Sequence, residues 1–121
     1  MKKAVLFISH GSNSPKTKLE VSDSLNLLKQ KSPIPIFEFA FLEIESPSIP
    51  EGIDLCVRRG AEEIIVLFNF LNSGRHADRD IPKIIDEAHL RYPHVKFRLT
   101  KPLSHYPEII GLFLNILKEY E

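Results

Sequence analysis

Apolar runs of strand length alternate with segments of helical period along this 121-residue chain, the pattern of βα units that build a parallel sheet. Residues 4 to 9, AVLFIS, are almost continuously hydrophobic, as in a strand covered on both faces. A helix is predicted over Pro15 to Lys31, where Leu19, Val21, Leu25 and Leu28 fall close to one face and lysines with Glu20 take most of the other. The run 34 to 43, IPIFEFAFLE, alternates Phe37, Phe39 and Phe41 with Glu38 and Ala40 and ends on Glu43. ESPSIPEG then reads as a turn, followed by a short helix from Ile53 to Arg59 stopped by Gly60. Residues 62 to 70, EEIIVLFNF, predict a third, buried strand. Pro82 reads as the first turn of a third helix running through KIIDEAHLRY. VKFRLT, 95 to 100, alternates Val95, Phe97 and Leu99 with Lys96, Arg98 and Thr100, the signature of a sheet edge. YPEIIGLFLNILKEYE closes the chain as a helix with Pro107 near its start.

Four βα units without a separable linker fit one domain over residues 1 to 121. Sixteen basic residues balance sixteen acidic ones, so no molecule-wide field draws in nucleic acid or a membrane surface, and an anionic partner must be met by a local patch. The only cysteine, Cys56, cannot form an internal disulfide, which fits a reducing compartment. The apolar run before His10 is too short for a secretory signal, and no segment approaches membrane-spanning length. A soluble, cytoplasmic protein is expected.

In an open parallel sheet, ligands bind beyond the carboxyl ends of the strands. His10 follows the first strand, Glu43 ends the second and His76 lies after the third, separated by 33 residues in each case. Two imidazoles and a carboxylate on one rim are a donor set for a divalent first-row metal with positions left open. Each residue alone has a plainer explanation: a histidine after a strand is commonly a satisfied polar group, and a rim carboxylate commonly accepts from a backbone N–H. Only their convergence favours a metal or catalytic site. Around them, Gly11 allows close approach of a ligand, and Ser12, Asn13 or Ser14 can cap the next helix. No P-loop or dinucleotide fingerprint is present. In SGRHADRDIP, Gly74 is read as a left-handed turn, Asp80 as an N-cap, and Arg75 and Arg79 as partners for carboxylates or phosphates. His105 reads as part of the turn into the last helix. His89 and His94, at or just past a helix end, need no function.

HGS after the first strand, FLE with PSI following, the EEIIV strand, FL..GRH..RDIP and KPL..YP run in this order over nearly the whole chain. Together they resemble the class II chelatases, specifically the short CbiX/SirB-type sirohydrochlorin chelatases. The resemblance implies a flavodoxin-like α/β fold, a four-stranded parallel sheet of order 2-1-3-4 with helices on both faces, and a chain equal to one chelatase half that pairs as a homodimer. It implies that His10 and His76 bind the incoming metal and that Glu43 acts as ligand or acid/base group. The activity implied is insertion of cobalt or ferrous iron into sirohydrochlorin for sirohaem or cobalamin synthesis, with nickel and zinc accepted in vitro and no cofactor beyond the substrate metal. Leu42, Phe70 and Leu71 are expected to face the macrocycle, and Arg75, Arg79, Lys16 or Lys101 to meet its carboxylates. Asn13 stands where the family commonly has arginine, and Asn69 where it commonly has proline. The alternative is a metal carrier or sensor that catalyses nothing. A receiver-like phosphotransfer module is excluded, because the third strand ends in FNFLNSG without an aspartate and the first in ISHG without an acidic pair.

Overall fold

A computed structural model describes residues 1–75 and 77–121. Its elements follow the predicted alternation: β1 (Lys3–Ser9), α1 (Pro15–Lys31), β2 (Ile36–Phe41), α2 (Ile49–Arg58), β3 (Glu63–Phe68), α3 (Arg75–Arg91), β4 (Lys96–Leu99), a 3₁₀ turn (Leu103–His105) and α4 (Glu108–Lys118). The sheet order is β2-β1-β3-β4 and every pair is parallel, so β4 is the edge strand its alternating pattern predicts.

Side chains alternate between two cores. Leu6, Ile8, Ala40, Ile64, Val66 and Phe68 meet Ile49, Ile53 and Cys56 of α2 and Ala77, Ile81 and Ala88 of α3. On the opposite face Val5, Phe7, Phe37 and Phe41 meet Val21 and Leu25 of α1. Gly52 lets α2 sit tight on the sheet: a Cβ there would lie 2.8 Å from Leu6 Cδ1 and 2.9 Å from Ala40 Cβ. The phenol of Tyr92 donates to Asp54 Oδ1 at 2.7 Å and ties the end of α3 to α2.

Two helix starts depart from the sequence expectation. α2 begins at Ile49, four residues before Ile53. Ser48 Oγ accepts from the Glu51 N–H and Glu51 Oε1 accepts from the Ser48 N–H, a capping box that starts the helix inside the presumed turn. α3 begins at Arg75, so Pro82 lies inside the helix rather than in its first turn. Ala77 and Ile81 are buried against the core one helical turn apart, and this packing carries the helix back past the proline. Asp80 is consequently an interior helix residue and not an N-cap. The N-cap is Gly74, which is extended at φ −130° and ψ 160°, not left-handed.

Candidate metal-handling rim

β1 ends at Ser9 and β2 at Phe41, yet their pairing continues past both ends. The Leu42 N–H donates to the Ser9 carbonyl at 2.9 Å, and the Glu43 N–H to the His10 carbonyl at 3.0 Å. The extra rungs bring the main chains of His10 and Glu43 together. Gly11 follows with φ +102°, and any Cβ there would overlap the Glu43 carbonyl. The close approach expected of Gly11 is therefore to the neighbouring strand end, and only glycine permits it. Ile44, at φ 72°, then turns the chain off the rim.

On the other side, the Asn69 N–H donates to the Ile8 carbonyl at 2.7 Å and its side-chain amide to Ser9 Oγ at 3.0 Å. A proline at 69 would forfeit the first of these bonds. The His10 imidazole is exposed and rests on Phe70, ring centroids 4.5 Å apart at 34°. Phe70 is 8% exposed, so it supports His10 from beneath. The 3₁₀ turn braces this support: Leu103 N–H donates to the Phe70 carbonyl at 3.0 Å and Ser104 N–H to the Leu71 carbonyl at 2.8 Å. A hollow of about 290 Å³ behind Phe70 is lined by Phe68, Asp78, Leu99 and His105, among others.

Of the apolar residues expected to face a ligand, Leu42 packs on the core, Phe70 is buried and Leu71 is exposed. Ser12 Oγ accepts from the Ser14 N–H at 3.0 Å, fixing the turn into α1. Ser14 is the N-cap residue, without a side-chain cap bond. Arg75 and Arg79 occupy the first turns of α3, both exposed, with Arg79 Nε bonded to Asp80 Oδ1 at 3.1 Å. The third expected donor, the His76 side chain, lies outside the described residues. Among the described residues no three histidine, cysteine or acidic side chains gather as a metal site.

Sequence reasoning overlooked one part of the rim. His10 opens into a cavity of about 410 Å³ whose far wall is Thr17, Glu20, Val21 and Ser24 of α1, floored by Ser9 and Asn69. Positions 17, 20, 21 and 24 share one helix face at i, i+3, i+4 and i+7. That spacing was the available signal, with Glu20 read instead as part of the solvated side.

The family model CbiX matches residues 4–120. The sirohydrochlorin ferrochelatase of Bacillus subtilis is 34% identical over 98% of this chain and 46% of its own length. The sirohydrochlorin cobaltochelatase of Priestia megaterium is 35% identical over 97% of this chain and 38% of its own. Among solved structures, SirB from Bacillus subtilis with Fe3+ superposes with TM-score 0.88 at 33% identity, covering 99% of this chain and 48% of that one. The chain thus spans about half the length of the relatives it matches. With the sheet order, the strand-end rim and a model match over nearly its whole length in agreement, the chain belongs to the CbiX family.

Proposed function

We propose that this protein is a sirohydrochlorin chelatase that inserts a divalent metal, iron or cobalt, into the tetrapyrrole during sirohaem or cobalamin synthesis. The observation that carries the reading is the main-chain rung from Glu43 to His10, which brings the backbones of a histidine and a glutamate together at the ligand-binding end of a parallel sheet. His10 and His76 hold the substrate metal through neutral imidazole nitrogens, with Glu43 as third donor or proton acceptor. Insertion removes two pyrrole N–H protons as ring nitrogens replace the metal's open ligands. A histidine or Glu43 accepts those protons as the metal transfers. Gly11, Ser12, Gly74 and Leu71 border the macrocycle, Leu42 and Phe70 back it, and Arg75 and Arg79, with Lys16 or Lys101, meet its carboxylates bidentately or as point charges. The metal is substrate, and this chemistry asks for no resident cofactor.

One half offers one wall for a large flat substrate, so the working form is a homodimer. The lone buried Cys56 suits a reducing cytoplasm. No helix among the described residues is long and apolar enough to cross a membrane.

The test is the absorbance change on mixing protein, sirohydrochlorin and Co²⁺ or Fe²⁺. The expected result is insertion well above the spontaneous rate, falling roughly 100-fold or more in His10→Ala and in His76→Ala with circular dichroism unchanged. Metal binding without any acceleration makes the protein a carrier and overturns the proposal. So does full activity in both variants.

A further inference from the structure

The cavity between His10 and α1 has a lining that the proposed metal and macrocycle contacts leave unused. Its walls bring the hydroxyls of Ser9, Thr17 and Ser24, the Glu20 carboxylate and the Asn69 amide to one side of His10. Asn69 Nδ2 already donates to Ser9 Oγ at 3.0 Å, so the remaining polar atom of that amide is an acceptor, its Oδ1. Among the described residues no lysine or arginine lines this cavity, and Glu20 makes no ion pair. A neighbouring hollow beside the same loop includes Lys18; this one does not.

That lining selects by charge and by the direction of hydrogen bonding. A carboxylate or phosphate is recognised by cationic donors, which these walls lack. An apolar group finds little to pack on beyond Val21. A hydrated divalent cation fits instead: its waters turn their lone pairs to the metal and their protons outward, so the surface around it must accept hydrogen bonds. An octahedral ion with six waters of roughly 30 Å³ each takes up about 180 Å³, well within the cavity's volume of about 410 Å³.

We infer that this cavity is a docking vestibule for the hydrated substrate metal, which Glu20 and the surrounding hydroxyls hold through its water shell before His10 replaces a first water. The inference rests on the chelatase reading above and adds the capture step that precedes ligation. The chain carries no net charge, so no molecule-wide field gathers cations at the rim and a local carboxylate has to do it. Glu20 stands past the first turn of α1, beyond the reach of the positive helix end that would oppose a cation. An ion held there stays at high local concentration beside the imidazole, and its waters are exchanged one at a time without a fresh encounter from bulk. Glu20 therefore serves metal capture and leaves the insertion step to the rim.

With sirohydrochlorin saturating and Co²⁺ varied, Glu20→Gln should raise the KM for metal about tenfold and leave kcat within about twofold. Glu20→Asp should keep most of the wild-type KM. Asp23→Asn, which removes a charge from the same helix outside the cavity, should leave KM unchanged. Hexamminecobalt(III), a cation of hydrated-ion size whose ammines do not exchange, should compete with Co²⁺ in the wild type and lose most of that inhibition in Glu20→Gln. Because it offers no position to an imidazole, it reports the vestibule and not His10. An unchanged KM in Glu20→Gln, a loss confined to kcat, an equal effect of Asp23→Asn, or hexammine inhibition indifferent to Glu20 overturns the vestibule and leaves the chelatase reading standing. A wild-type chain that inserts no metal overturns both.

Discussion

α1 and α4 invert the usual relation between composition and burial. α1 is the more polar helix, with lysines at 16, 18, 29 and 31, and it buries only Val21 and Leu25. It is nevertheless fully docked, because those two side chains drop between Phe37, Phe41 and Phe7 of the sheet. α4 is apolar over most of its circumference and buries nothing. Burial therefore tracks the surface within reach and not the composition of the helix.

The sharpest way to break the comparison is to put a carboxylate on each helix. Leu25→Asp should cost the fold about 3 kcal/mol, because Leu25 is 6% exposed. Leu114→Asp should change stability by no more than about 0.5 kcal/mol, because Leu114 is 55% exposed. Urea titrations at high dilution measure both, and equal losses would mean that α4 is docked on its own protomer. Alkaline pH separates the packed body from α4 next. Burial pushes the Cys56 thiol up to about 12 from an ordinary 9.0, with the Glu38 charge adding to it and Arg59 opposing. The folded protein thus holds that proton more tightly than the unfolded chain does. The thiol's contribution to stability is fully present below pH 9 and is lost as pH rises from there to about 12. Cys56→Ala should shed this part of the alkaline loss, and native protein near pH 8 should resist thiol reagents until unfolded. Gly52→Ala should destabilise by about 1 to 3 kcal/mol, since neither the sheet nor Ala40 can yield to the added methyl. At Gly111, where an added Cβ meets nothing within 4 Å, alanine should instead stabilise the helix by up to about 1 kcal/mol. Ser48→Ala, which removes one side of the α2 capping box, should cost about 1 kcal/mol, readable as a lower thermal midpoint.

Most of the fold was legible in the sequence because parallel strands buried on both faces announce themselves as unbroken apolar runs. AVLFIS fell where expected, EEIIVLFNF holds a strand shorter than its run, from Glu63 to Phe68, and α1 kept its predicted ends at Pro15 and Lys31. Helix starts were less legible. ESPSIPEG reads as a turn and Pro82 as a first-turn residue, but the Ser48 capping box and the burial of Ala77 and Ile81 outweigh both signals. Of the rim, the proximity of His10 and Glu43 followed from topology, since each ends a neighbouring strand. The cavity wall of Thr17, Glu20 and Ser24 did not, because polar residues on a helix flank look the same whether they face water or a site. Asn69, a departure from the common family residue, acquires a reason only in three dimensions, as the donor to Ile8 and Ser9.

The rung between the Glu43 amide and the His10 carbonyl, with Gly11 wedged against it, has an evolutionary corollary. The bond between the Glu43 amide and the His10 carbonyl is made by the main chain, so it forms whatever side chains stand at positions 10 and 43. Lineages can then vary those two side chains by single codon changes, while the glycine must be kept because any Cβ there meets the Glu43 carbonyl.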